Sequence, residues 1–221
     1  MKLRVLPISL LLILCCIGCN NKVDSEYQSA IEKSKQLLDS IRVAQKIPGI
    51  DAAIAIDGKI IWSEGFGYAD LENDVKVIPG VTKFRIGSVS KPLTSAALGK
   101  LIDAGKVDLN ESVYTYLPDF PKKRYPITVK EISGHIAGIR HYRGNEFLMN
   151  KRFNSVSSSL SIFKDDSLLF EPGTNYSYSS YGFNLLSAVI EKASGEAFLP
   201  FIQREVFSAL NMSGTSPDFY D

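Results

Sequence analysis

Apolar positions along this chain change their period, and each period predicts an element. In "YQSAIEKSKQLLDSIRVAQKI" the apolar residues Ile31, Leu37, Leu38, Ile41 and Val43 recur with charges between them, which predicts an amphipathic helix ending before Pro48. "GIDAAIAIDGKIIWSEGFGYAD" then supplies two β-rich runs joined by Asp57-Gly58, a dipeptide suited to the positive-φ positions of a tight hairpin. Leu71 to Lys83 reads as loop and Phe84 to Ile86 as a short extended lead-in. Ser88 to Ala104 reads as a helix closed by Gly105, with Pro92 about as far into the first turn as proline sits without breaking the ladder.

Beyond Gly105 the pattern is mainly helical. "VDLNESVYTYLPDFP" reads as a surface loop, "ITVKEISGHIAGI" as a short helix broken at Gly138, and Ser157 to Phe163 as the start of another helix. "FEPGTNYSYSSYGFNLLSAVIEKASG" gives a Pro-Gly turn, an aromatic loop and a helix from about Ser180 to Ala193 that ends at Gly195. Phe198 to Leu210 is expected to form a last amphipathic helix.

The first nineteen residues obey another rule. Lys2 and Arg4 precede an apolar run from Val5 to Gly18, shorter than the roughly 20 residues of a membrane span and suited to an export signal. The three cysteines, Cys15, Cys16 and Cys19, lie inside or at the end of this leader, so disulfides cannot support the rest of the chain. "CIGCN" resembles a bacterial lipoprotein processing site, with small Gly18 before an acceptor Cys19, and the polar residues 20–25 suit a tether. This implies an exported, lipid-anchored protein of the bacterial cell envelope. The alternatives are plain cleavage and a retained anchor.

Composition narrows the partners. The chain has 221 residues, 45% of them hydrophobic, with 25 Lys and Arg against 24 Asp and Glu. That is enough apolar material for one core, and the balanced charge favours neither nucleic acid nor a membrane surface. His135 and His141, six residues apart with no cysteine beside them, match no zinc pattern, and without a G-x-S-x-G elbow a Ser-His-Asp triad has little support. No metal and no organic cofactor is expected. His135 reads as a structural hydrogen-bonder before the Gly138 turn.

Chemistry enters at "FRIGSVSKPLTS", where Ser88 is followed three residues later by Lys91. That spacing alone occurs about once by chance in a chain of this length, and Ser161 with Lys164 is a second copy. At a helix start, however, Lys91 lies on the same face as Ser88 one turn along, and the helix dipole favours negative charge there by about 0.3–1 kcal/mol. A serine hydroxyl needs a base within reach. Deprotonating a free lysine at pH 7 costs roughly 4.6 kcal/mol and a free tyrosine roughly 4 kcal/mol, so neither base wins alone. Together they help one another, because an ammonium favours a phenolate. The bland readings are a helix cap for Ser88, a solvated charge for Lys91, and for Tyr178 a place in an aromatic cluster with Tyr176 and Tyr181.

"FRIGSVSKPLT" and "EPGTNYSYSSYGFNLLSAVIEKASG" resemble the first and second motifs of the serine β-lactamase and penicillin-binding-protein superfamily. "GHIAGIRHY" and "LENDVKVIPGVTKFRIGS" are similar to its class C-like branch, which includes the mitochondrial serine β-lactamase-like proteins. The resemblance covers nearly all of Ile47 to Met212. It implies an α+β, β-lactamase/transpeptidase-like fold, with an antiparallel sheet flanked by helices and a mostly helical region, over a single domain spanning residues 26–221. It also implies Ser88 as acylated nucleophile, Lys91 as its proton partner, Tyr178 as the base that relays a proton to the leaving group, and Ser180 as a substrate-binding or lysine-orienting hydroxyl. Class C enzymes usually carry asparagine at the Ser180 position, which argues against efficient β-lactam hydrolysis.

The superfamily's third motif, a basic residue or histidine, a small residue and glycine on a late strand, has no match after Tyr178. The resemblance therefore implies a fragment or truncated product that stops before the late strands and lacks one oxyanion donor, a loss worth about 10²–10³ in rate. The expected function is an exported serine hydrolase acting on small peptides, peptidoglycan-derived peptides, esters or β-lactams. The alternative is a catalytically silent envelope lipoprotein that keeps the fold as a binding module.

Overall fold

The computed structural model describes residues 26–218, so the leader, the expected lipid site at Cys19 and the tether lie outside the described residues. Two compact units divide between Thr82 and Lys83.

In the first unit, helix α1 (Gln28–Ala44) precedes strands β1 (Gly49–Ile56) and β2 (Lys59–Asp70), which pair antiparallel from Gly49 opposite Gly67 to Ile56 opposite Lys59. Asp57 and Gly58, at φ 50° and 74°, form the expected turn. Ile31 of α1 packs with Trp62 and Phe66 of β2 to make a small core. Gly67 has φ +70°, and a Cβ there would lie 2.2 Å from the Pro48 carbonyl oxygen, so only glycine allows this approach. The stretch after Leu71 is not wholly loop: β3 (Val75–Lys76) returns along β2, and the Asp70 carboxylate accepts the Glu72 and Asn73 backbone N–H groups to tighten the turn. Two residues are too few to show a strand period.

The second unit is helical and centres on α6 (Ser180–Ser194), in which Leu185, Leu186, Ala188, Val189 and Ile190 are fully buried. Each such large aliphatic side chain contributes about 1.5–3 kcal/mol when fully buried. Around α6 pack α2 (Ser90–Asp103), α3 (Val113–Tyr116), α4 (Val129–Ser133), α5 (Val156–Ser159) and α7 (Phe198–Ile202). Gly195, at φ 79°, closes α6 where the sequence places its end.

Several boundaries differ from expectation, each for a local reason. Ser88 lies in a 3-10 turn, Gly87–Val89, and α2 proper begins at Ser90. The expected surface loop contains α3, whose four residues are too short for periodicity to reveal and whose start is capped by the Ser112 hydroxyl. Helix α4 stops at Ser133, earlier than the predicted break at Gly138, because His135 takes φ 59° and turns the chain out of the helix. The last helix is α-helical only to Ile202 and then widens into a π-helical turn over Gln203–Ser208.

Candidate active site

Two helix starts bring the candidate residues together. Ser88 and Lys91 come from the entrance to α2, while Tyr178 and Ser180 come from the aromatic loop and the first residue of α6. The Tyr178 hydroxyl donates to Ser88 Oγ at 2.8 Å. Lys91 Nζ donates to Ser88 Oγ at 3.2 Å and to Ser180 Oγ at 3.2 Å, and it lies 4.8 Å from the centre of the Tyr178 ring. Four side chains thus share one polar cluster.

The bland readings do not describe these positions. Ser88 accepts from two side chains, and its own turn has no side-chain cap. Tyr178 shares ring contacts with Tyr176 through His135 and with Tyr181 through His141 and Tyr142. It is nevertheless 36% exposed with its hydroxyl turned to Ser88, whereas Tyr181 is buried, stacks on Phe163 and donates to Glu146, so core packing does not describe Tyr178. Among the described residues the second Ser-x-x-Lys copy gathers no such partners: the Ser161 hydroxyl donates to the backbone carbonyl of Ser158. The decisive feature is thus what the rest of the fold brings to a serine.

Electrostatics eases ionisation of the Tyr178 phenol. The Lys91 ammonium, as the largest influence, and the hydrogen bond with Ser88 hold the Tyr178 phenol below its ordinary value of 10.0. Ser180 is placed to hold the ammonium, since its hydroxyl oxygen accepts from Lys91.

The second motif is held from behind. Ser179 caps α6, its hydroxyl accepting from Gly182 N–H at 2.9 Å and donating to the Arg140 carbonyl at 2.7 Å. His135 Nδ1 accepts the Ser179 backbone N–H at 3.1 Å, and His141 Nδ1 accepts the Ser180 backbone N–H at 3.2 Å. The hydrogen-bonding role expected of His135 is present. His141 plays the same part without any expectation of it, although both histidines flank the same Gly138 turn in "GHIAGIRHY".

Arg140, which the sequence does not single out, anchors this segment. Only 5% exposed, its guanidinium holds Glu146 with two bonds of 2.7 and 3.0 Å and Asp166 at 2.5 Å, and also donates to the His141 carbonyl at 3.0 Å. These charge-assisted bonds to Arg140 hold the Glu146 carboxyl down at about 2, and burial, reinforced by Glu146, pushes the Tyr181 phenol up to about 12. A lone arginine in sequence carries no sign of such partners.

Comparison with known proteins identifies the family. The family model described as "Beta-lactamase" matches residues 31–217. The human mitochondrial serine beta-lactamase-like protein LACTB is 32% identical over 86% of this chain and 47% of its own length. Among solved structures, the hydrolase EstCE1, described as having promiscuous acyltransferase activity, superposes with TM-score 0.75 at 26% identity over 85% of this chain and 53% of that one. The octameric penicillin-binding protein homologue of Pyrococcus abyssi gives TM-score 0.74 at 25% identity over 83% of this chain and 43% of that one. The chain spans about half the length of the curated mitochondrial relatives it matches.

Proposed function

Since this chain belongs to the β-lactamase family, we propose that it is a serine hydrolase working through an acyl-enzyme on Ser88. The observation that carries the reading is the 2.8 Å bond between Tyr178 and Ser88, with Lys91 beside both. In the proposed reaction the Tyr178 phenolate takes the Ser88 proton as Oγ bonds to the substrate carbonyl carbon. The tetrahedral intermediate then expels the leaving group, which receives that proton from Tyr178. Water attacks the acyl-enzyme, again with Tyr178 as base, and Ser88 is released. The 2.8 Å contact and the depressed phenol favour Tyr178 as first base, with Lys91 as the cation that stabilises it.

Substrates of this reading are small peptides, peptidoglycan-derived peptides, esters or β-lactams. The leader pattern and the Gly18-Cys19 pair support export and lipid anchoring at the bacterial envelope. Labelling of the full-length protein with a fluorophosphonate or a fluorescent penicillin tests the chemistry. Label on wild type that disappears in Ser88→Ala is expected; no label, or label that survives the substitution, overturns the assignment. Incorporation of a radioactive fatty acid at Cys19 is the corresponding test of the anchor.

A further inference from the structure

We propose that His135 and His141 are positioning residues: as neutral imidazoles they hold the Tyr178–Ser180 turn against Ser88 and Lys91, so that protonating them switches acylation off. The proposal rests on the serine-hydrolase reading above and adds to it a part that neither candidate motif contains.

Geometry sets the protonation state. A ring nitrogen that accepts a backbone N–H cannot carry a proton, and both Nδ1 atoms accept, from Ser179 and Ser180 respectively. Each ring therefore carries its proton on Nε2. Both imidazoles also lie against the Tyr178 ring, His135 at 4.6 Å between centroids and His141 edge-on at 5.5 Å, so the phenol is held by its face as well as by its backbone. His135 is itself held at positive φ, and its carbonyl accepts the Ser177 N–H at 2.9 Å. Residues 177, 179 and 180 are thus fixed by two histidines on either side of one turn.

Protonation would convert each Nδ1 acceptor into a donor facing another donor. It would also add positive charge near Lys91. The groups facing His135 are Lys91 from α2, His141, and the phenols Tyr176 and Tyr178. Those facing His141 are Lys91, His135, the phenols Tyr142 and Tyr178, and Arg140, whose guanidinium donates to the His141 carbonyl. Glu146 and Asp166, the carboxylates of this segment, are engaged by Arg140. Burial first and the Lys91 charge second keep both rings below the ordinary 6.5. Below pH 6.5 the histidines accordingly add a loss of acylation to the fall that titration of Tyr178 itself produces.

Asparagine tests this, because its side-chain oxygen can accept as Nδ1 does without titrating, whereas leucine cannot accept at all. The rate of fluorophosphonate labelling of the full-length protein is measured from pH 4.5 to 9 for wild type, His135→Asn, His141→Asn, the double Asn variant and both Leu variants, each checked for folding by its thermal transition. The Leu variants should label on the order of 10–10² times more slowly at pH 8. The Asn variants should recover part of that loss, and the double variant should lose the added fall below pH 6.5 and keep only the limb set by Tyr178. Nitrogen NMR of the histidines at pH 8 should show both rings as the Nε2–H tautomer, a readout independent of labelling. A wild-type protein that labels while the double Asn variant keeps the same steepness below pH 6.5 overturns the positioning role alone, as does an Nδ1–H tautomer. A wild-type protein that never labels overturns the hydrolase reading, and this inference with it.

Discussion

The Tyr178 hydroxyl reaches Ser88 Oγ at 2.8 Å across a separation of ninety residues, and Lys91 completes the contact one turn along from the serine. In the proposed serine-hydrolase reading, this relationship is what would turn a common residue spacing into an activated nucleophile. Replacing Tyr178 with Phe keeps the ring against His135 and removes only the hydroxyl. The acylation rate of Tyr178→Phe is expected to fall by about 10²–10⁴, the usual contribution of a positioned acid-base group, with little change in probe affinity. Stopped-flow or gel-based labelling kinetics measures both.

Lys91→Met removes the cation that depresses the phenol. For a base with a lowered pKa, rate rises with pH up to that value and then levels; without Lys91 the limb should move upward toward pH 10. Each unit of movement lowers the rate at pH 7 about tenfold. A pH profile of labelling that keeps its rising limb in place would refute the assignment of Tyr178 as the group Lys91 activates.

Arg140→Met strands Glu146 and Asp166 behind the second motif. Removing one partner of a buried ion pair costs about 3–5 kcal/mol, and the partial exposure of both carboxylates places this case near the low end. A fall in thermal midpoint of roughly 6–12 °C is expected. The pH dependence has a definite sign: Glu146, held at about 2 when folded, stabilises the protein above its ordinary 4.5, and that contribution is lost as pH falls toward 2. Thermal melts between pH 7 and 2 should therefore fall less steeply for Arg140→Met than for wild type.

Gly138→Ala tests the turn between the histidines. Its φ is +74°, and a Cβ would lie 2.6 Å from the Phe170 carbonyl oxygen, so strain of about 1–3 kcal/mol is joined by a clash with backbone. Gly105→Ala, at φ +66° with nothing within 4 Å of the added atom, carries the strain alone. Denaturant titrations should rank Gly138→Ala as the more destabilised of the two.

Much of this molecule is local and was therefore legible. The Asp57-Gly58 turn comes from two residues that tolerate positive φ, and the end of α6 at Gly195 from one more. Ser88 and Lys91 could be paired by helical spacing, and Tyr178 and Ser180 by resemblance to a second motif. The 3-10 turn at Ser88, the two-residue β3 and the four-residue α3 escaped because periodicity needs more residues than these elements contain.

What the amino-acid order determined by itself is the set of longer helices, the hairpin and the chemical types available to a site. Tertiary structure alone decided which of two Ser-x-x-Lys copies meets a tyrosine, that Arg140 joins Glu146 to Asp166, and that two imidazoles accept the N–H groups beside Tyr178. The reason is physical: turns and helix faces depend on neighbours a few residues apart, whereas hydrogen bonds between segments depend on how helices pack around α6, and no local pattern encodes that packing.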